Sequence, residues 1–115
     1  MTRLLLGLVL LTCSVVHAQR GGGHIPDCNT LEGLKKARCE RHTRMYDKCH
    51  EIKGEGHHEC DRQFLIANPL DCKALAGRDA QACGAEREAV QACKDETGTT
   101  FFRCAREKLR ADPRH

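Results

Sequence analysis

Eight cysteines downstream of residue 18 constrain this chain more than any other feature. Cys28, Cys39, Cys49 and Cys60 have the spacing C-x10-C-x9-C-x10-C, and Cys72, Cys83, Cys93 and Cys104 repeat it 44 residues later. The repeat extends past the cysteines. A shift of 44 lays Asp27 on Asp71, Leu31 on Leu75, Gly33 on Gly77, Gly54 on Gly98, and Ala67-Asn68-Pro69 on Ala111-Asp112-Pro113. Chance can align a few cysteines, but not the helix-stopping punctuation as well.

Within each unit Ala, Leu, Glu, Lys, Arg and Gln predominate, while β-branched and aromatic residues are scarce, which is a helical composition. No Gly or Pro interrupts residues 34–53, and Leu34, Arg38, Met45, Cys49 and Ile52 recur at helical spacing. The sequence therefore predicts a helix over 34–53, a break at Gly54-Glu55-Gly56, and a return helix to about Ala67. The second unit predicts a helix to about Glu96, a break at Thr97-Gly98, and a return helix over 99–110, with Gly33 and Gly77 setting off a short turn before each long helix. Asp27 and Asp71 stand where N-caps belong. The fold class expected is all-α, two tandem disulfide-stapled helical hairpins of about 44 residues each.

The breaks bear on disulfide pairing. Cys39 and Cys49 share one helix, so at 1.5 Å per residue they lie about 15 Å apart along it, too far for a bond that needs Cα atoms within about 7 Å. Each C-x10-C pair instead brackets a glycine near its midpoint, and antiparallel segments bring residues equidistant from a turn face to face. This favours Cys28–Cys39, Cys49–Cys60, Cys72–Cys83 and Cys93–Cys104. The rival arrangement links the units, for example Cys39 to Cys72. Cross-unit bonds predict one compact domain and local bonds predict two hinged ones.

Cys39-x9-Cys49 and Cys83-x9-Cys93, on hairpins braced by cysteines, resemble the coiled-coil-helix proteins with twin C-x9-C motifs. The resemblance covers the cysteine frame alone and implies a helical-hairpin fold. It departs in that Cys60 is followed by x11 to Cys72 across Asn68-Pro69, where the twin motif needs a second C-x9-C. Proteins of that family are also typically mitochondrial, whereas this chain opens like an exported one.

Residues 1–18 carry one early charge, Arg3, an apolar run from Leu4 to Leu11, and the small-residue ending Val16-His17-Ala18. That is the layout of a cleaved secretory signal peptide. The run is too short for a transmembrane helix, and no other stretch approaches the required length. Leu10-Leu11-Thr12-Cys13 also reads as a lipoprotein cleavage site, the alternative being lipidation of Cys13. Residues 19–26, with Gly21-Gly22-Gly23, read as a flexible leader. The repeats are then residues 27–69 and 70–115, in a protein expected to be secreted or periplasmic.

From residue 19 onward only fifteen residues are Ile, Leu, Val, Met, Phe or Tyr, a core thin enough to need covalent staples. Charge is nearly balanced, with 19 Lys and Arg against 16 Asp and Glu interleaved throughout. Together with the scarcity of aromatics for stacking, this argues against nucleic acid as a partner.

Catalytic groupings are missing. No serine follows residue 18, an even cysteine count in an oxidising compartment leaves no thiol over, and C-x-x-C is absent. Asp95 with Glu96, and Glu86 with Glu88, diverge on a helix and read as a solvated face. The protein is expected to be no enzyme, to need no cofactor, and to serve as a small binding or structural module whose partner is another protein. Tyr46, Phe64, Phe101 and Phe102 are the candidate anchors, with core packing as their other use. A second reading is copper or zinc binding through His and Cys, with His57 and His58 as the metal candidates beside Cys60. The second unit places Phe101-Phe102 where they stand, which weighs against a metal site built into the repeat. A third reading is a secreted inhibitor or effector.

Overall fold

The computed structural model describes residues 27–115. The expected signal peptide, the expected Gly-rich leader and Cys13 lie outside the described residues. The fold is all-α. A single 3-10 turn, Cys28–Thr30, precedes α1 (Gly33–Cys49), which forms a hairpin with α2 (Glu55–Ala67); α3 (Gly77–Ala92) and α4 (Gly98–Ala111) form the second.

The glycines at the cysteine midpoints explain the hairpins. Gly33, Gly54, Gly77 and Gly98 have φ of 56°, 67°, 56° and 53°, and no other described residue has a positive φ. A left-handed residue at the mouth of a helix reverses the chain there, and glycine adopts it without the Cβ penalty. The flanking segments then run back on each other, and four disulfides join Cys28–Cys39, Cys49–Cys60, Cys72–Cys83 and Cys93–Cys104 with Cα–Cα distances of 5.6, 5.8, 5.8 and 5.9 Å. Asp27 caps the 3-10 turn by accepting from the Asn29 amide at 3.0 Å, and Asp71 makes the equivalent contact with the Lys73 amide at 3.0 Å.

Both long helices stop short of their expected ends. The helix predicted over 34–53 closes at Cys49, and the one predicted to Glu96 closes at Ala92. The chain must turn before the glycine to carry Cys60 back over Cys49 and Cys104 back over Cys93, so residues between each cysteine and its glycine leave the helix. Ile52 consequently lies in a turn, its amide on the Cys49 carbonyl at 3.1 Å.

Cystine sulfur makes up much of the core. Cys39, Cys49, Cys83 and Cys93, the inner cysteines of each set, are buried alongside Leu34, Leu70, Phe64, Phe101, Ala85 and Ala89. Leu34, Leu70 and Cys83 form one cluster, with Ala37, Cys72, Leu75 and Ala82 packed on it. That cluster spans both units.

Local disulfides do not leave the two hairpins hinged, which corrects the expectation drawn from the pairing. α1 packs on α3, and α2 on both α3 and α4. The packed pairs start at the same end: the Leu34 amide at the mouth of α1 donates to Asp79 Oδ2 at the mouth of α3 (3.0 Å), and the Gly98 amide of α4 lies 3.5 Å from Glu59 Oε2 in α2. The hairpins therefore stack side by side in the same orientation, as neighbouring repeats do in longer arrays.

Glu86 needs a second correction. It is not on a solvated face but buried at 8% exposure, bonded to Arg38 and 3.8 Å from Arg41 Nη2 across the α1–α3 contact. Burial pulls the Arg41 guanidinium below its ordinary value, and Glu86 opposes that pull. A buried carboxylate persists only where it is paired; here both arginine partners come from the other unit.

Gly33 and Gly77 occupy the same backbone conformation in different surroundings. A Cβ on Gly33 would collide with the Asp79 carboxylate that accepts from Leu34, whereas one on Gly77 meets nothing within 4 Å. Gly77→Ala is expected to cost about 1 kcal/mol, the left-handed penalty alone. Gly33→Ala is expected to cost about 2 kcal/mol, because the cap is lost as well. Urea denaturation of the two variants checks the difference.

Two carboxylates link stability to pH. Glu59 is held at about 2 by hydrogen bonds from Arg62, with Gln63 and the Gly98 amide adding to them. Asp112 is held at about 2, first by the Arg114 side chain and then by its amide. Both values lie below those of an unfolded chain, about 4, so the stabilisation is full above pH 4 and is lost as pH falls through 2. A melting-temperature series is expected to decline over that window, and less steeply in high salt, since both groups are still partly open to solvent.

Candidate functional site

The end of the bundle where α1 and α3 finish and α2 and α4 begin gathers most of the rings. Tyr46 and His50, one helical turn apart at the close of α1, stack with centroids 4.5 Å apart and planes 11° from parallel. The His50 Nδ1 is 2.7 Å from the Tyr46 carbonyl. His57, at the start of α2, places Nδ1 3.0 Å from the Cys49 carbonyl and Nε2 3.3 Å from Asp61 Oδ2, tying the two helices beside the Cys49–Cys60 bond. From there the rings continue edge to face, His57 to His58 at 5.9 Å, His58 to Phe102 at 6.1 Å, and Phe102 to Phe101 at 5.1 Å.

The four candidate anchors divide between core and surface. Phe64 and Phe101 are buried, at 6% and 0% exposure. Phe102 is half-buried and forms part of a shallow cleft of about 340 Å³ with His58, Asp61, Thr99 and Arg106. Tyr46 at 37% and Ile52 at 42% are the large hydrophobic residues left exposed among the described residues. The sequence reading missed Ile52 because it set that residue on one helical face with Leu34, Arg38, Met45 and Cys49, in a helix running to residue 53. Its place between the last cysteine of the helix and Gly54 was the available signal.

His57 and His58 are brought together, but without a donor set around them. All eight cysteines from Cys28 onward are in disulfides, so none supplies a thiolate. Among the described residues no group of three or more His, Cys, Asp and Glu side chains is placed to hold a metal ion. His42 is exposed on α1, and His115 sits at the opposite end with Nε2 3.9 Å from Glu86 Oε1. Of the carboxylates, Asp95 and Glu96 are exposed, and Glu88 is bound by Arg114.

Comparison with known protein families, with curated proteins and with solved structures finds no match to this chain. The resemblance to twin C-x9-C proteins stays one of cysteine spacing on helical hairpins. Four disulfides point to an oxidising compartment, extracellular or periplasmic. No helix among the described residues is long and apolar enough to cross a membrane.

Proposed function

We propose that this protein is exported by a cleaved signal peptide and works as a non-enzymatic module that binds another protein. The observation that carries the reading is the exposure of Tyr46 and Ile52 at the ring-bearing end, in a chain whose core has few large apolar residues to spare. Tyrosine combines a large apolar face with a polar tip at little entropic cost, and such residues dominate binding energy at protein interfaces. The scaffold beneath them is stiff, because the Cys49–Cys60 bond and the His57 contact to Cys49 hold the α1–α2 turn in place. Binding then orders little of the protein.

The test is chemical cross-linking in the natural environment with wild type and with Tyr46→Ala/Ile52→Ala. Truncating two anchors is expected to cost at least 2 kcal/mol, about a thirtyfold loss in recovery of the partner. Equal recovery by the double variant, with its disulfide map unchanged, would falsify the proposal.

A further inference from the structure

The opposite end of the bundle, where α1 and α3 begin and the chain ends, differs in character. A groove of about 370 Å³ lies there between the two helix mouths and the last residues of the chain. Lys35, Arg38, Arg78 and Arg114 line it, with Asp79 as the acidic member. Asp79 is committed to the Leu34 amide at 3.0 Å. Arg38 is held by Glu86, and Arg114 by Glu88 and Asp112. Lys35 and Arg78 are exposed, and among the described residues neither has an ion-pair partner. Their charges converge from two different units, and the linear sequence, where they are 43 positions apart, disperses them among acids.

We propose that this groove takes an acidic segment of a partner protein, a carboxylate resting between Lys35 and Arg78. The proposal deepens the protein-binding reading by giving the partner a chemistry. Cationic side chains there supply charge-assisted donors to a carboxylate, and Arg78 can do so bidentately. Leu34, Ala82 and Pro113 form an apolar part of the wall, which suits the methylenes of a glutamate or a neighbouring aliphatic side chain. Nucleic acid fits poorly, because no Phe, Tyr or Trp lines the groove for base stacking and His115 is the one ring among its lining residues. A long polyanion fits poorly too, since the cations form a pocket and not a stripe.

The probe is a blocked tetrapeptide of glutamate and leucine, titrated into the disulfide-intact protein and followed by two-dimensional NMR. The control is the same peptide with glutamine for glutamate, and inorganic phosphate and a heparin fragment are run in parallel. Saturable shifts confined to residues 34–38, 78–82 and 113–115 are expected, with Kd of about 1 mM or tighter at low salt. Lys35→Glu/Arg78→Glu is expected to weaken binding at least tenfold. Both substitutions fall in the first turn of a helix, where an acid is favourable, so the fold is retained. Equal binding of the glutamine peptide, unchanged affinity of the double variant, or binding of heparin alone would each overturn the proposal. Because this titration reads one end and the Tyr46/Ile52 cross-linking the other, either can fail while the other stands.

Discussion

Replacing Cys49 and Cys60 together by alanine is expected to lower the unfolding free energy by about 4 kcal/mol. The bond joins α1 to α2 across eleven positions, and releasing a loop of that size in the unfolded chain accounts for about 3 kcal/mol. Cys49 is also fully buried, so losing its sulfur leaves a void worth about 1 kcal/mol more. Cys28→Ala/Cys39→Ala opens a loop of the same length but is expected to cost less. That bond tethers the 3-10 turn at the edge of the fold, so its loss frays residues 27–32 and leaves the hairpins in place. A domain of this size has about 5–10 kcal/mol to lose, and reduction of all four bonds is therefore expected to unfold it at 25 °C. Circular dichroism during urea titration, with and without dithiothreitol, reads all three cases. A reduced chain that kept a cooperative transition at the same midpoint would show that the cystines are not what holds the core.

What the sequence made legible was whatever repeats. Helix class, the glycine reversals and the caps at Asp27 and Asp71 recur in both copies, and local chemistry alone dictates them. The relation between the copies was not legible from the shared pattern, which says only what each hairpin does by itself. It is written instead where the copies differ. Leu34 is buried and its counterpart Arg78 is exposed; Glu86 is buried and its counterpart His42 is exposed; Phe101 is buried, whereas His57 is only half-buried. Leu34 and Glu86 are buried where one unit meets the other, Leu34 beside Leu70 and Cys83, and Glu86 on Arg38 and Arg41. Their counterparts stay open to solvent, Arg78 at the groove between the units and His42 on α1, where a polar residue is favoured. The same rule explains why Glu86 resembled a solvated carboxylate: its partners, Arg38 and Arg41, are 48 and 45 positions away. Tyr46 was legible as a candidate anchor, but Ile52 was not, because periodicity set it on one helical face with Leu34 and Cys49, whereas the helix ends at Cys49 and leaves Ile52 exposed beyond it.

Phe101→Ala is expected to cost about 4 kcal/mol, in the range of the largest single losses this chain can suffer. Phe101 is the largest fully buried side chain, and it lies on α4, which packs against both α2 and α3. Truncation of such a ring removes its transfer energy and leaves a cavity that stapled helices cannot collapse to fill. Phe101→His, which writes the first unit's residue into the second, is expected to cost as much, because a buried imidazole without a partner adds a desolvation penalty to the lost volume. The reciprocal exchange His57→Phe is expected to change stability by under 1 kcal/mol, since His57 is half-buried and loses only its contacts to the Cys49 carbonyl and Asp61. Guanidinium denaturation of the three variants gives the comparison. If the two copies were independent hairpins, exchanging residues at matching positions would have matching effects. The unequal cost expected here follows from the full burial of Phe101 against the half-burial of His57, so equal small losses for Phe101→His and His57→Phe would show that the two positions are equivalent after all.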